Sequence, residues 1–423
     1  MWRILKWSLL GLTVALLVSL AGVTGYAVHD NSGSASSTSS SDNYAILNEV
    51  QSILQQDFVL PSAVKPDVLQ KGAIDGVIAA LNDPHSQYIP PTDYQNGVDL
   101  ISGTFEGIGA NVHQDPTSKE IIITAPFHGS PADKAGVLPG DVILKVDGTS
   151  TDGWTTADAV KKIRGPAGTP VTISVRHPDG TTADITITRA TVAVPTVFAQ
   201  GVTDANGKTV PDLAYIQIQQ FTDQTVPDMQ AALQSVHDQG YKGLILDLRN
   251  NPGGGLDATV KVADMFLDGG IVLTQVDRDG NKTEYDAKSG VVTDVPVVVL
   301  VNKNSASGSE VLSGSLQDHG RAKLIGQQTF GKGSVNHLRQ LSNGGALYVT
   351  IARWLTPNGT LIEGVGLTPD IKMDPTPADT EGKPGPELYT AIDLLHSEIN
   401  GTTFTPPPTP IPGSPTPVPT SNQ

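Results

Sequence analysis

The sequence predicts a multidomain protein of α/β (α+β) class, with a helical N-terminal segment, a small β-rich domain and a larger α/β domain. Apolar residues recur at helical spacing between Tyr44 and Leu81. Short β-branched runs separated by turn residues follow, from Ile121 to Ile187. From Gly243 onward, buried-strand patterns alternate with loops and helical patterns. A chain of 423 residues is long enough for two or three such domains.

The composition excludes several classes of function. With 27 Lys and Arg against 43 Asp and Glu, the net charge of -16 opposes binding to nucleic-acid phosphates. The absence of cysteine removes disulfides, thiolate metal sites and a cysteine nucleophile. No H-E-x-x-H or G-x-S-x-G motif occurs, whereas a Ser-His-Asp triad stays open because geometry defines it. We therefore expect no metal and no cofactor.

The N-terminus predicts export. Arg3 and Lys6 precede the uncharged run from Ser8 to Val28, which would span roughly 31 Å as a helix. We expect residues 1–30 to form an uncleaved signal anchor with the chain's body on the extracytoplasmic side, in the cell envelope or periplasm. Secretion after signal cleavage is the alternative.

Composition also marks the other boundaries. Residues 31–41 are rich in Ser and predict a flexible linker, and residues 401–423 are rich in Pro and predict a disordered, extended tail. Neither is expected to be catalytic. Between them we expect a helical segment at 42–97, the β-rich domain at 98–190 and the α/β domain at 191–400.

The β-rich domain resembles a PDZ domain. The resemblance is carried by three runs in the expected order, Phe105–Ala110, Gly129–Ala132 and Gly136–Ile143. It implies that an extended peptide adds as a strand to this domain. The backbone around the first run would then form a nest for the peptide's C-terminal carboxylate, at Gly107, Ile108, Gly109 and Ala110.

The α/β domain repeats a unit of strand, loop and helix. A strand pattern at Gly243–Arg249 precedes the loop Asn250–Gly255, and another at Val295–Val301 precedes Asn302–Ser309. If these strands are parallel neighbours, both loops lie at one sheet edge, where helix N-termini expose unpaired N–H groups. Such an edge suits an oxyanion.

Several motifs of this domain resemble those of the carboxyl-terminal processing (tail-specific) serine proteases. The similarity spans about residues 43–373 and rests on Asp247–Gly254, Val301–Glu310, Leu316–Ala322, Thr329–Val335, Ala352–Pro357 and Gly364–Ile371. It implies an α/β serine-protease core with a fold like that of crotonase and of Clp protease.

The resemblance also implies roles for individual residues. Ser307 would be the nucleophile and Lys332 the general base, with the oxyanion held by Gly308 and by Gly253 or Gly254. A free lysine is a poor base at pH 7, but burial in an apolar pocket lowers its pKa by several units. Neutral Lys332 would then accept the Ser307 proton.

One position departs from the family pattern. Where the family has Gln four residues after the lysine, this sequence has Asn336, which we expect to orient Lys332 with a shorter reach. Asp247 and Arg249 are expected to be structural, fixing their loop through charge-assisted hydrogen bonds.

These observations predict a serine endopeptidase with a Ser-Lys dyad that cleaves unfolded or C-terminally tagged proteins near their C-termini. The PDZ domain would recognise the substrate's C-terminus, and the N-terminal segment would contact the cell membrane. Two alternatives are a PDZ-containing peptide-binding scaffold with a degenerate protease core, and a Ser-Lys hydrolase of non-peptide amides. The sequence leaves a homodimer open.

Overall fold

A parallel sheet covered by helices on both faces forms the largest core of the protein. The computed structural model describes residues 44–91, 93–94, 103–127, 129–374, 376 and 384–406. The predicted anchor, the predicted linker and most of the Pro-rich tail lie outside these residues. Within the described ranges, no helix is both long enough and apolar enough to cross a membrane.

The described elements follow the predicted order of helical segment, β-rich domain and α/β domain. The helices are α1 (Ala45–Asp57), α2 (Pro66–Ala79), α3 (Pro131–Lys134), α4 (Thr156–Ile163), α5 (Thr225–Asp238), α6 (Leu256–Asp264), α7 (Gly308–Asp318) and α8 (Pro386–Asn400). The strands before the α/β domain are β1 (Gln87–Ile89), β2 (Thr104–Gly107), β3 (Ala110–Gln114), β4 (Ile121–Pro126), β5 (Val142–Val146), β6 (Thr149–Ser150), β7 (Pro170–Arg176), β8 (Thr182–Thr188) and β9 (Ala190–Ala193). Those that follow are β10 (Val197–Thr203), β11 (Thr209–Ile218), β12 (Gly243–Asp247), β13 (Gly270–Asp277), β14 (Lys282–Ala287), β15 (Val297–Val301), β16 (Ala322–Gly326), β17 (Ser334–Gln340), β18 (Ala346–Leu355) and β19 (Ile371–Lys372).

Between Tyr44 and strand β1, the described part of the N-terminal helical segment contains the helices α1 and α2. A short 3₁₀ turn at Pro61–Ala63 separates α1 from α2, and Pro66 occupies the first turn of α2, where its missing N–H costs nothing. Neither helix contains a buried side chain. The apolar side chains of α1 that predicted the helix are therefore exposed, namely Ile46, Leu47, Val50 and Ile53.

The β-rich domain is built on an antiparallel sheet of order β3-β4-β5-β7-β8, with β6 beside β5. Alternate residues of its strands face a separate core that includes Ile123, Ile143 and Ile173. A capping box between Thr155 and Asp158 satisfies the first N–H groups of α4, which packs on this core. Strand β3 lies at the edge of this sheet in the described part of the chain.

The α/β domain contains the parallel sheet, of order β10-β11-β12-β15-β16-β19, in which β10 alone of these strands runs antiparallel to its neighbour. Every residue of β12 and β15 is buried, because helices cover both faces. Leu246 and Val299 face the cluster that includes residues of α5, α6 and α7, whereas Ile245 and Val298 face α8. The predicted mixed α/β architecture is confirmed.

A second, antiparallel sheet flanks the first. Its order is β1-β18-β13-β14, with β17 also paired to β18. The start of β17 and the end of β18 lie beside the loop that follows β16, since Trp354 N donates to Gly333 O at 2.9 Å. This sheet therefore forms one wall of the site described next.

Candidate active site

Three loops meet at the carboxyl edge of the parallel sheet. They follow β12, β15 and β16, which are parallel neighbours, so the condition stated for the loops after β12 and β15 is met. The first two loops are joined by bonds from Ala306 N and Ser309 Oγ to Asn251 O, at 3.0 and 2.9 Å. Phe330 N donates to Ser305 O at 3.0 Å and joins the third loop to the second. The edge of the sheet thus gathers the residues that the sequence had singled out.

Ser307 lies at a sharp turn between β15 and α7. Its φ of 51° and ψ of -115° are unusual for a residue with a side chain, and such strain concentrates at functional sites. The turn places Ser307 at the N-cap of α7, which begins at Gly308, inside the loop Asn302–Ser309 that the sequence indicated. This is the geometry in which a serine is held exposed at the head of a helix for nucleophilic attack.

Two backbone N–H groups beside Ser307 are available to an oxyanion. Among the described residues, no group accepts from the N–H of Gly254 or of Gly308. The two groups are close, since the Gly254 nitrogen lies 3.4 Å from where a Cβ on Gly308 would be. Both glycines line the same pocket as Ser307.

The N–H of Gly253, which the sequence left open as an alternative oxyanion donor to Gly254, already has an acceptor in the structure. Its N–H donates to Asn251 Oδ1 at 2.8 Å. Its role is steric, because its φ is +99° and a Cβ would lie 2.7 Å from both Ala306 O and Gly308 N. Gly253 therefore allows the first loop to approach the nucleophile closely.

Lys332 is buried opposite Ser307, with 5% of its surface exposed. Burial lowers its pKa to about 8, and the carboxylates of Glu363, Glu310 and Asp83 oppose that shift. Its Nζ lies 3.5 Å from Tyr348 Oη and 5.4 Å from the centre of that ring. A substantial fraction of Lys332 is therefore neutral near pH 8, as a general base requires.

Ser307 and Lys332 line one small pocket. Its volume is about 30 Å³, which is room for roughly two or three non-hydrogen atoms. The walls are mainly apolar, formed by Leu256, Val311, Val335, Tyr348 and Trp354. None of the lining residues is a histidine. His319 is one of the two histidines closest in sequence to Ser307 and Lys332. Its Nε2 lies 2.8 Å from Ile271 O.

Asn336 lines the pocket but does not hydrogen-bond Lys332. Its Nδ2 donates to His85 O at 3.1 Å and to Thr350 Oγ1 at 2.9 Å, and its Oδ1 accepts from Ser334 Oγ at 3.2 Å. The expected direct orienting contact is thus absent, because the short amide is committed to the neighbouring strand and to the segment before β1. Tyr348 contacts the Lys332 ammonium instead.

Glu310 is a residue whose role the sequence reasoning missed. Its fully buried carboxylate accepts from Ser307 N, Gly331 N and Lys332 N, at 2.9, 2.7 and 2.9 Å, and from Thr329 Oγ1. Burial raises the pKa of Glu310, and these four hydrogen bonds oppose the shift. One side chain therefore fixes the loops of both the nucleophile and the base. The Ser-x-x-Glu spacing of a capping box was the signal available in the sequence.

The loop after β12 is fixed by a buried ionic network, as expected for Asp247 and Arg249. Arg249 Nη2 donates to Asp247 Oδ2 at 2.6 Å, and its Nη1 donates to Glu387 Oε2 of α8 at 2.9 Å. Tyr215 Oη also donates to Asp247 Oδ2, at 2.6 Å. These contacts position the loop that carries Gly254 without touching the pocket.

The predicted carboxylate nest lies at the end of a groove in the β-rich domain. Gly107 ends β2 and Ala110 begins β3, and no described group accepts from the N–H of Ile108 or Gly109. Gly109 has a φ of +78°, and a Cβ there would lie 2.5 Å from Ser130 Cβ. Only glycine fits this turn.

The groove itself is apolar and lies between β3 and α4. Its volume is about 270 Å³, far larger than the pocket at Ser307. Phe105 and Phe127 form an edge-to-face pair with centroids 6.2 Å apart at its wall. Arg164 stacks over the Phe105 ring at 4.6 Å from its centroid.

Comparisons with known proteins identify the family of the chain. The profile of peptidase family S41 matches residues 212–373, and a PDZ domain profile matches residues 122–177. A carboxy-terminal-processing protease from Bartonella bacilliformis is 40% identical over 79% of this chain and 74% of its own length. A probable CtpA-like serine protease from Staphylococcus aureus is 34% identical over 87% of this chain and 73% of its own length.

Among solved structures, a photosystem II D1 C-terminal processing protease is 30% identical, with a TM-score of 0.46, over 81% of this chain and 96% of that one. The extent and identity of the two sequence matches decide the assignment. The chain belongs to peptidase family S41 and is a serine peptidase that carries a PDZ domain.

Proposed function

We propose that the protein is an endopeptidase with a Ser307–Lys332 dyad that cleaves unfolded or C-terminally tagged proteins near their C-termini. The observation that carries the proposal is the placement of Ser307, in its strained turn, and the buried Lys332 on one pocket. The apolar walls lower the base's pKa, and the two N–H groups of Gly254 and Gly308 supply the oxyanion site.

The proposed reaction uses these groups in sequence. Neutral Lys332 accepts the proton of Ser307 Oγ as the oxygen bonds to the substrate's carbonyl carbon. The N–H groups of Gly254 and Gly308 hydrogen-bond the resulting oxyanion. The Lys332 ammonium then gives its proton to the leaving amine as the C–N bond breaks, and an acyl-enzyme remains. Water, deprotonated by Lys332, hydrolyses that ester and restores Ser307.

The test is cleavage of an unfolded protein, with fragments identified by mass spectrometry. Ser307→Ala and Lys332→Ala are each expected to lower the rate by at least about a thousandfold without loss of the fold, since nucleophile and base act as a unit. Lys323→Ala removes an exposed lysine and is the matched control. EDTA is expected to have no effect. A Lys332→Ala enzyme with wild-type turnover would contradict the dyad, and an inactive wild-type protein that still binds peptides would favour the scaffold alternative.

We further propose that the groove of the PDZ domain binds the substrate's C-terminus. Three features support this: an edge strand, β3, an apolar groove beside it, and the free N–H groups of Ile108 and Gly109 at its end. A peptide strand would pair with β3 and place its carboxylate at those N–H groups. Amidation of the substrate's C-terminus is therefore expected to slow cleavage, and equal rates for acid and amide would contradict carboxylate recognition.

Membrane attachment and self-association complete the proposal. The uncharged run Ser8–Val28 supports an anchor with the protease outside the cytoplasm. The test is whether the protein fractionates with the membrane and keeps an intact N-terminus.

The exposed apolar side chains of α1 support a homodimer through that helix. Ile46→Glu together with Val50→Glu is expected to give a monomer in sedimentation, and an unchanged mass would contradict the dimer.

A further inference from the structure

The segment before β1 reaches the back of the active site. Strand β1 pairs with β18, so that Gln87 lies opposite Tyr348, the residue that contacts the Lys332 ammonium. The preceding turn is fixed on both sides: His85 N donates to Asp83 Oδ1 at 3.0 Å, and His85 O accepts from Asn336. The His85 side chain is therefore held at a defined place in the wall of the site.

From that position His85 contacts a carboxylate beside the base. Its Nε2 lies 2.9 Å from Glu363 Oε1, and both side chains are mostly buried. The Glu363 backbone touches the residue after Lys332, since a Cβ on Gly333 would lie 2.8 Å from Glu363 N. Glu363 is also the acidic residue with the strongest electrostatic effect on Lys332.

The Glu363 carboxylate is only partly satisfied. Its buried Oε2 makes no hydrogen bond in the described structure, and Arg353 Nη1 lies 3.9 Å away, beyond hydrogen-bonding distance. A buried carboxylate oxygen without a donor favours any nearby cation. The ammonium of Lys332 would satisfy it, but an ion pair would keep the lysine protonated and useless as a base.

We propose that His85 is a positioning residue of the dyad: its hydrogen bond holds the Glu363 carboxylate out of an ion pair with Lys332. The inference rests on the proposed role of Lys332. Among the described residues, the carboxylates of Glu363, Glu310 and Asp83 act on the charge of Lys332. His85, Arg353 and Lys332 are described groups that act on Glu363. Glu310 accepts hydrogen bonds from four donors, and Asp83 accepts from Ser86 Oγ and His85 N. Glu363 accepts from His85, and no other group in the described part of the chain donates to it. Glu363 is thus the carboxylate most able to move.

The experiment measures kcat and KM for a peptide substrate from pH 6.5 to 10 in a set of variants. His85→Ala is expected to move the midpoint of the kcat profile to higher pH with KM little changed. Each unit of that shift lowers kcat about tenfold at pH 7, and the rate should recover near pH 10. His85→Gln keeps a donor at the position of Nε2 and should stay near the wild-type midpoint. His237→Gln, at an exposed histidine of α5, is the matched control and should change nothing.

A double variant tests whether the Glu363 carboxylate causes the shift of the midpoint in His85→Ala. Removing the negative charge in His85→Ala/Glu363→Gln should return the midpoint to the wild-type value or below it, because no carboxylate remains to be held. Glu363→Gln alone should lower the midpoint, which keeps the test valid if His85→Ala fails to fold. An unchanged midpoint in His85→Ala or in Glu363→Gln, or a double variant as impaired as His85→Ala, would overturn the proposal. Wild-type activity in Lys332→Ala would instead overturn the dyad.

Discussion

The burial of Lys332 makes the pH dependence of cleavage a quantitative test of the proposed base. With a pKa of about 8, Lys332 is about 9% neutral at pH 7 and about 91% neutral at pH 9. Since only the neutral amine accepts the Ser307 proton, kcat/KM should rise about tenfold between these values. An unburied lysine, with its ordinary pKa of 10.5, would leave the rate still rising well above pH 9.

The same shift predicts a change in stability. The pKa of Lys332 is lower in the folded state than in the unfolded chain, so the cost of burying its charge is fully present below about pH 8. That cost disappears as the pH rises from about 8 to 10.5, where the folded state has lost its proton and the unfolded state still holds one. A shift of 2.5 units corresponds to about 3 kcal/mol of unfolding free energy.

Lys332→Met in a Ser307→Ala background should therefore be more stable than its parent by about 3 kcal/mol at pH 7, and the difference should vanish near pH 10.5. Urea denaturation at several pH values measures the stability, and an internally quenched peptide with a free C-terminus measures kcat/KM. Lys323→Met, at an exposed lysine, should change stability by less than about 1 kcal/mol at any pH. A flat rate profile from pH 7 to 9, or a Lys332→Met variant less stable than its parent at pH 7, would refute the reasoning.

Four further expectations concern residues in and around the pocket. Glu310→Gln should lower kcat at least tenfold by loosening the loops of nucleophile and base, and unchanged kcat would show that the carboxylate is not needed. Gly254→Ala should abolish cleavage, because its Cβ would lie 2.0 Å from a backbone oxygen and would displace the loop that carries this N–H, and an active variant would show that the loop tolerates the side chain. Asn336→Ala should lower the free energy of unfolding by about 1 to 3 kcal/mol, since buried partners lose their hydrogen bonds. A tenfold to hundredfold loss of kcat with unchanged stability would instead restore the direct orienting role. Val311→Ala should enlarge the pocket beside Ser307 and raise kcat/KM about tenfold for substrates with Leu rather than Ala before the scissile bond, and an unchanged preference would show that this pocket does not bind that side chain.

The secondary structure of the α/β domain could be predicted from the sequence because its central strands are fully buried. β12 and β15 are buried on both faces and therefore appear as continuous apolar runs, bounded by loops rich in Asn and Gly. That their loops meet at one edge depended on β12 and β15 being parallel neighbours, which the pairing in the structure supplied. The N-terminal helices were equally visible from their spacing, but the exposure of their apolar side chains was not, because periodicity does not reveal what covers a face.

Short-range patterns in this sequence determined the order of the elements, the PDZ and protease motifs, and Ser307 and Lys332 as candidates. The tertiary structure decided which groups reach those two side chains. The choice of Gly254 over Gly253 depends on one Asn251 hydrogen bond, and the contact of His85 with Glu363 joins residues 278 positions apart. Hydrogen bonds have a range of a few ångströms and a defined direction, so they are fixed by the packing of β1, β17 and β18 around the parallel sheet rather than by spacing along the chain.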